Sequence, residues 1–366
     1  MSARERGDAP EPLAPGAVGA DVAHAAALLR GGGVVAFPTE TVYGLGADAS
    51  NPEALARVYA IKGRPRSHPL IVHLADASEL GAWSEEVPDV GRALAARFWP
   101  GPLTLIVRRS ARVSALATAG QDTVGLRVPS HPMAQALLRA FGGGIAAPSA
   151  NRFGRISPTC AMHVQQDLGA DVDYVLDGGS CEVGVESTII DLSRGVPVLL
   201  RSGGLARAAL EEVLGSALLG ADEARADARS AAGALPHPRG PAPAAPGTLV
   251  SHYAPRARLL AVAPAQVPAA VAAQGAARVA VLAPAQEFAA WPKLAATTRA
   301  LPDDLPGMAR DLYAAMRDLD AGDFDVIVAA LPAEVGLGEA VADRLRRAAG
   351  PKDDADGGMA GSLRKR

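Results

Sequence analysis

One stretch, VVAFPTETVYGLGADASNPEALARVYAIKGRP (34–65), constrains this chain more than any other. Its first four residues form an apolar run long enough for a buried strand, which Pro38 ends. A polar loop follows, with two threonines, a glutamate and a tyrosine at positions 39–43. Asn51 and the proline after it are typical of a helix start, and that helix ends at KGRP (62–65). A strand, a polar loop, a helix and two closing cations together predict a site for an anionic ligand.

The glycines of this stretch have two interpretations. Gly44 and Gly46 bracket Leu45, which predicts a tight turn or a close approach of the backbone to a ligand. The sequence GLGADA (44–49) matches GxGxxA, but a polar loop separates it from its strand, so we reject a dinucleotide-binding fingerprint. The chain also lacks the motifs GxxxxGK[ST], HExxH and CxxC.

Composition narrows the class of protein. A length of 366 residues predicts about two domains, and 49% hydrophobic residues suffice for real cores. A net charge of -3 gives no general argument for binding nucleic acid or membranes. Cys160 and Cys181 form neither a disulfide framework nor a paired metal motif. With no signal-peptide pattern and no apolar span of membrane length, we expect a cytoplasmic protein that does not bind a membrane.

Alternating strand and helix patterns predict an α/β fold with two domains. The first domain mixes strands and helices as a twisted, mixed sheet would. The second has strands that alternate with helices, as in a small parallel sheet. The predicted organisation is a disordered tail (1–18), an α/β domain (19–215), an Ala/Pro/Gly-rich linker (216–256), a small α/β domain (257–350) and a charged tail (351–366).

Ten short motifs stand in an order that carries a resemblance. They are PTETVYGLGA (38–47), KGRP (62–65), PLIVH (69–73), WPGPLT (99–104), DTVGLRVPSHP (122–132), AAPSANRFG (146–154), SPT (157–159), LDGG (176–179), VESTIID (185–191) and LLRSGG (199–204). This series resembles YrdC-type proteins. SHYAP (251–255), followed by a small α/β domain, is similar to their long two-domain form, the L-threonylcarbamoyladenylate synthases. The resemblance covers about residues 20–350, and Ser202 departs from it, since the family usually has proline there.

The resemblance implies both fold and reaction. The fold would be a YrdC-like twisted mixed sheet with helices, plus a smaller Rossmann-like parallel-sheet domain. The enzyme would be a nucleotidyltransferase that makes threonylcarbamoyl-AMP and pyrophosphate from L-threonine, bicarbonate and ATP, with Mg²⁺ accompanying the ATP. Its product would serve threonylcarbamoyladenosine modification of tRNA, through downstream transfer proteins and with possible direct contact to tRNA.

The resemblance also assigns catalytic residues. It places Lys62, Arg64, Ser149 and Asn151 around the nucleotide phosphates, where Arg offers a planar fork and Lys a point charge. From the residues alone, Lys62 could instead complement a helix C-terminus and Arg64 could be a solvated loop cation. We expect loss of either cation to lower turnover with little effect on stability, since a solvent-lined cation contributes little to folding.

The resemblance implies five L-threonine-binding positions. They are Thr41, His73, Arg127, the backbone at Ala147, and Ser187. Each has a plainer alternative. A lone histidine in an apolar strand is usually a core residue, Arg127 could lie on a solvent-facing strand surface, and Ser187 could be a turn hydroxyl.

Seven positions carry over to ATP by resemblance. They are Arg64, the backbone near His68, Thr123, Ser149, Ser157, Arg201 and Tyr253. Thr123 and Ser157 alone would be ordinary turn residues. Tyr253 lies in the linker, where SHYAP (251–255) is expected to fold as a lid over the nucleotide; a hydrophobic peg between domains is the alternative.

Two other classes stay open. The first domain could bind double-stranded RNA or tRNA without catalysis, a reading that steep salt dependence would support and the net charge weakly disfavours. It could also be a carbamoyl-transferring accessory domain of the hydrogenase-maturation type, although the Cys-rich segment of those proteins is missing here.

Overall fold

The computed structural model describes residues 14–227 and 240–351. The chain forms two compact units: unit 1 comprises residues 1–153 and 158–182, and unit 2 comprises 154–157 and 183–366. Parts of the predicted tails and linker, at 1–13, 228–239 and 352–366, lie outside the described residues.

Unit 1 alternates strands and helices along the chain. Its elements are β1 (Ala17–Gly19), α1 (Val22–Arg30), β2 (Val35–Phe37), β3 (Gly44–Asp48), α2 (Pro52–Lys62), β4 (Ile71–His73), α3 (Leu80–Trp83), β5 (Ser84–Glu86), α4 (Asp89–Phe98), β6 (Leu103–Arg109), β7 (Thr123–Arg127), α5 (Pro132–Phe141), β8 (Ile145–Ala146), α6 (Ala161–Leu168) and β9 (Tyr174–Leu176). Helix α2 begins as predicted, with Asn51 accepting hydrogen bonds from the N–H groups of Glu53 and Ala54.

The sheet of unit 1 is mixed. Its strand order is β1-β9-β2-β3-β8-β4-β7-β6, and β5 pairs with β6. Strand β9 runs parallel to both β1 and β2, and β4 runs parallel to β7. The pairs β2/β3, β3/β8, β4/β8, β5/β6 and β6/β7 are antiparallel. The mixed α/β sheet expected for the first domain is therefore confirmed.

The core of unit 1 forms where α1 and α5 cover this sheet. Leu29, Leu137, Leu138, Phe37 and Ile145 are fully buried there. Burying one such side chain stabilises the fold by about 1.5–3 kcal/mol, so these helices owe their position to their apolar faces. This packing holds β2 and β8 at the ends that lead into the polar loops of the site.

Of the two predictions for Gly44 and Gly46, the tight turn is wrong. Both lie in β3, which pairs antiparallel with β2. A Cβ atom at Gly46 would come within 2.8 Å of both Ile145 and Phe37. At Gly46 the neighbouring side chains leave no room for a larger residue, whereas at Gly44 the nearest atoms, at 3.2 and 3.3 Å, leave little room.

Unit 2 carries the remaining elements. They are β10 (Thr188–Asp191), β11 (Val198–Arg201), α7 (Arg207–Leu214), β12 (Leu219–Gly220), α8 (Ala221–Asp227), β13 (Arg258–Val262), α9 (Val267–Ala272), β14 (Val279–Pro284), β15 (Thr297–Leu301), α10 (Leu305–Ala321), β16 (Val326–Ala330) and α11 (Leu337–Ala348). Strand β11 pairs antiparallel with β10 and parallel with β12.

The small parallel sheet predicted for the second domain is present in unit 2. Its order is β13-β16-β14-β15, and every neighbouring pair is parallel. Its core includes Val267, Val281 and Val328, all fully buried. Among the described residues, every helix is too short or too polar to cross a bilayer.

Candidate active site

Sheet register places two predicted threonine-binding residues side by side. His73 of β4 is the register partner of Arg127 of β7, and both are buried. Arg127 donates from Nη1 to Oγ1 of Thr41 at 2.9 Å and from Nε to the carbonyl of Gly101 at 3.2 Å. Unit 1 thus brings Thr41, His73 and Arg127 together, and a solvent-facing Arg127 is excluded.

Glu40 lies against the same arginine. Its Oε1 atom is 2.8 Å from Nη2 of Arg127, and each side chain is only 4% exposed. Within the described residues, neither carboxylate oxygen accepts an aligned hydrogen bond, so the contact is one of opposite charges. In the sequence this carboxylate is only one member of a polar loop, and no pattern there marks it as a partner of Arg127.

His73 is a neutral group in this environment. Burial lowers its pKa to about 3, and the nearby charge of Arg127 acts in the same direction. Its Nδ1 atom lies 3.3 Å from the carbonyl oxygen of Ile145. A neutral imidazole can hydrogen-bond a substrate hydroxyl without adding charge.

The backbone at Ala147, a further predicted threonine-binding position, is held by the sheet. The N–H of Ala147 donates to the carbonyl of Ile71 at 2.9 Å.

Lys62 ends α2 and is buried rather than solvated. Its Nζ atom donates to the carbonyl oxygens of Asn151 at 2.5 Å and Ser149 at 2.6 Å, and to Oδ1 of Asn151 at 3.3 Å. Burial lowers its pKa well below the ordinary value, and nearby Arg64 adds to the shift. Lys62 therefore holds the loop that carries Ser149 and Asn151.

Arg64 is also buried, so the solvated-cation alternative is wrong. Its Nη2 donates to the carbonyl of Pro69 at 2.9 Å and its Nε to that of His68 at 3.3 Å. Its guanidinium carbon lies 5.6 Å from the ring centroid of Phe153. These contacts fix the backbone at His68, which the resemblance assigned to ATP.

The Ser149–Asn151 loop is anchored to the polar loop after β2. Leu45 donates its N–H to the carbonyl of Pro148 at 2.7 Å, and Ala150 donates to that of Tyr43 at 2.8 Å. These bonds join the PTETVYG and PSAN motifs into one region of unit 1.

Thr123, predicted to bind ATP, is the first residue of β7 and is buried. Within the described residues, no hydrogen bond is seen from its hydroxyl to Lys62, Arg64 or Ser149.

Unit 2 contains the other predicted residues. Arg201 donates from Nη2 to the carbonyl oxygen of Ser187 at 2.8 Å and to its Oγ at 3.1 Å, and from Nη1 to the carbonyl of Pro246 at 2.8 Å. Ser157 donates its hydroxyl to Glu186 at 2.7 Å. The sequence placed these residues in motifs but gave no sign of Glu186 as their partner.

Tyr253 is a buried residue of unit 2 with a backbone φ of 62°, which is rare for a bulky side chain. Its ring stacks on that of Tyr313 with centroids 5.7 Å apart. Its hydroxyl has no hydrogen-bond partner among the described residues. Burial, with the nearby charge of Glu186, raises its pKa to about 12. The lid predicted for residues 251–255 stays a prediction.

A resident metal site is not evident. In the described part of the chain, no three or more His, Cys, Asp or Glu side chains group in a way that could hold a metal ion.

Comparisons with known proteins cover both units. A family model described as "Telomere recombination" matches residues 27–203, and one described as "Threonylcarbamoyl-AMP synthase, C-terminal domain" matches 205–350. A threonylcarbamoyl-AMP synthase of Bacillus subtilis is 40% identical over 90% of this chain and 93% of its own length. One of Pyrococcus abyssi is 39% identical over 89% of this chain and 93% of its own length. A crystal structure of P. abyssi Sua5 complexed with L-threonine superposes with a TM-score of 0.80 at 38% identity, covering 90% of this chain and 94% of that one.

Proposed function

This chain belongs to the threonylcarbamoyl-AMP synthase family, and from that premise we propose that it makes threonylcarbamoyl-AMP and pyrophosphate from L-threonine, bicarbonate and ATP. One observation carries the proposal: relatives of that name match at about 40% identity through both domains and over nearly their whole length. The P. abyssi relative crystallised with L-threonine supports the choice of amino acid. The enzyme is thus a nucleotidyltransferase.

The first step joins threonine to bicarbonate. The amine of L-threonine attacks the carbon of bicarbonate, and water leaves to give the carbamate. Arg127 binds the carboxylate of threonine with its planar fork. Thr41 and the neutral imidazole of His73 recognise the hydroxyl, and Ser187 and the backbone at Ala147 complete the amino-acid site. Their proximity in unit 1 supports the first three assignments.

The second step transfers the adenylyl group. A carbamate oxygen attacks the α-phosphorus of ATP, and the bond from that phosphorus to the bridging oxygen breaks to release pyrophosphate. Arg64 and Lys62 counter the charge that develops on the phosphates. Because Lys62 also binds the loop of Ser149 and Asn151, it sets the position of these two residues. Mg²⁺ enters with ATP as part of the substrate and screens the same phosphates.

Further ATP contacts come from Thr123, Ser157, Arg201, Tyr253 and the backbone at His68. The unpartnered hydroxyl of Tyr253 supports a role in binding, because a buried donor without a partner is costly in a finished fold. The product passes to tRNA-modifying transfer proteins, and the cytoplasm is the expected compartment. The comparisons favour this function over an RNA-binding module without catalysis.

Release of pyrophosphate tests the proposal directly. The purified full-length protein should release it only with ATP, Mg²⁺, bicarbonate and L-threonine together, when each of the twenty amino acids is tried. A site that hydrogen-bonds the threonine hydroxyl should reject valine by about 10⁴-fold and serine less strongly. Equal activity with valine, or activity only with tRNA present, would contradict the proposal.

A further inference from the structure

A buried cluster in unit 2 joins the C-terminal helices to residues proposed to bind ATP. This Glu186 cluster consists of Glu186, Tyr313 of α10 and Arg344 of α11, with Ser157 at its edge. Oε1 of Glu186 accepts from Ser157 at 2.7 Å and from the Tyr313 hydroxyl at 3.1 Å. Oε2 accepts from the same hydroxyl at 2.9 Å and from Nε of Arg344 at 2.7 Å. Three donors therefore fix one carboxylate.

The charges of the cluster are sealed from water. Arg344 has no exposed surface, and it also binds Asp343 and, at 3.0 Å, the carbonyl oxygen of Ser202. Burial alone would raise the pKa of Glu186, but the charges of Arg344 and Arg201 and the hydrogen bonds from Ser157 and Arg344 together lower that pKa to about 2. Stability is a weak explanation for such a pair, because apolar residues of similar volume often replace a buried ion pair without loss. We therefore look for residues whose positions depend on this cluster.

The Glu186 cluster contacts two residues that are proposed to bind ATP, Ser157 and Tyr253. The hydroxyl of Ser157 is bound directly by Glu186. The ring of Tyr253 lies 5.2 Å from the guanidinium carbon of Arg344 and stacks on Tyr313 with an angle of 30° between ring planes. Since Tyr253 has an unfavourable backbone φ, contacts of its side chain are needed to keep it in place.

We propose that Tyr313 and Arg344 are positioning residues for the nucleotide: they fix the Glu186 carboxylate, and with it the Ser157 hydroxyl, and they hold the ring of Tyr253. The C-terminal α/β domain then supplies the groups that orient ATP contacts, without touching the reacting atoms itself. This inference rests on the proposed function only in assigning Ser157 and Tyr253 to ATP.

The arrangement predicts a selective effect on ATP. The hydroxyl of Ser187, which is assigned to threonine, accepts a hydrogen bond at 3.1 Å from Nη2 of Arg201. Arg201 is not a member of the Glu186 cluster. Loosening the cluster should therefore weaken ATP binding more than threonine binding. A purely structural role would instead lower the folded fraction, and with it the apparent kcat, while leaving both KM values unchanged.

Tyr313→Phe is the decisive variant because it keeps the stacked ring and removes one hydroxyl. The KM for ATP should rise about tenfold, as expected when a hydrogen bond to a charged group is lost. The KM for L-threonine and kcat should stay within about twofold. Arg344→Lys keeps the charge but loses the fork, and should raise the KM for ATP at least as much.

Arg346→Gln is the matched control. Arg346 lies on the same helix, is half-exposed and pairs with Glu334, and within the described part of the chain no hydrogen bond joins it to the cluster. Its substitution should leave both KM values as in the wild type. Thermal unfolding of all four proteins at the assay pH corrects each rate for the folded fraction.

Equilibrium binding of α,β-methylene-ATP separates this inference from the proposed function. The wild type could bind the analogue and yet release no pyrophosphate from ATP with the other substrates present. The proposed function would then fail, while weaker binding of the analogue by Tyr313→Phe would still support positioning. Wild-type KM and Kd values in both cluster variants would overturn the inference. So would equal rises in the two KM values, a fall in kcat alone, or a wild type that does not bind the analogue.

Discussion

Nζ of Lys62 lies 2.5 Å from the carbonyl oxygen of Asn151, at the centre of three hydrogen bonds to one loop. An ammonium group has three donors, and here each has an acceptor. The lysine therefore acts on its loop through geometry as well as through charge. The sequence predicts a solvent-lined cation, which is wrong because the side chain is buried. The small effect on folding predicted for Lys62 therefore loses its premise.

Lys62→Ala should lower both turnover and stability. We expect kcat to fall about 10²-fold or more, since charge stabilisation and the position of Ser149 and Asn151 are lost together. The free energy of unfolding should fall by about 1–3 kcal/mol, because buried carbonyl oxygens lose their donor. Urea unfolding and pyrophosphate release measure the two effects. Lys293→Ala, at an exposed site, is the control and should change neither; an unaltered unfolding curve for Lys62→Ala would contradict the structural role.

Arg127→Lys should impair threonine selectively. The substitution keeps the positive charge beside Glu40 but removes the planar fork that a carboxylate needs. The KM for L-threonine should rise about 10²-fold, whereas the KM for ATP should change little. Steady-state kinetics with each substrate varied checks this. Arg57→Lys, half-exposed on α2, is the control, and a larger change in the KM for ATP than for threonine would place Arg127 elsewhere in the reaction.

His73 should make the protein less stable as pH falls. Its folded pKa of about 3 lies below the unfolded value of 6.5, so the unfolded state binds more protons between those pH values. The free energy of unfolding contributed by this group is thus present above pH 6.5 and is lost as pH falls toward 3. Urea unfolding of His73→Gln against the wild type should show a shallower pH dependence in the variant. Parallel curves would mean that folding does not lower the pKa of this imidazole.

Glu186 should show its effect in a lower pH window. Its folded pKa of about 2 lies below the ordinary 4.5, so its stabilising contribution is present above pH 4.5 and is lost as pH falls toward 2. The contribution is on the order of 3 kcal/mol. Glu186→Gln should be less stable at pH 7, because Arg344 keeps its charge without a charged partner, and should approach the wild type at pH 2. A constant difference across this range would rule out an ionised Glu186.

Local pattern was enough for most elements but not for those without a clear period. Strands β14 and β16 are buried along their whole length, and their apolar runs in the sequence are typical of such strands. Strand β15, with the sequence TTRAL, has no apolar run to mark it, because four of its five residues are exposed or half-buried. For strand β3, two glycines predict a tight turn or a close approach to a ligand, because the sequence does not show that packing requires a small residue at Gly46.

The residues of the candidate site also fall into those that local sequence identifies and those that it does not. Short motifs identified Thr41, His73 and Arg127, which the sheet brings together. Nothing local marks Arg344, which belongs to a charged helix and resembles an exposed residue in sequence. It meets Glu186 across 158 positions of sequence, and Tyr313 meets it across 127. Pairs this far apart are fixed by tertiary packing, which single-sequence patterns do not encode.

The assignment of residues 154–157 to unit 2 limits how this protein can be dissected. The chain passes from one unit to the other after residues 153, 157 and 182. A gene split after Glu182 would therefore yield a C-terminal fragment without Ser157, whose hydroxyl binds Glu186. Fragment complementation or circular permutation at that junction would have to return this tetrapeptide from the other half. The C-terminal half keeps Glu186, Tyr313 and Arg344, so co-expressed halves should regain only the Ser157–Glu186 hydrogen bond on reassembly.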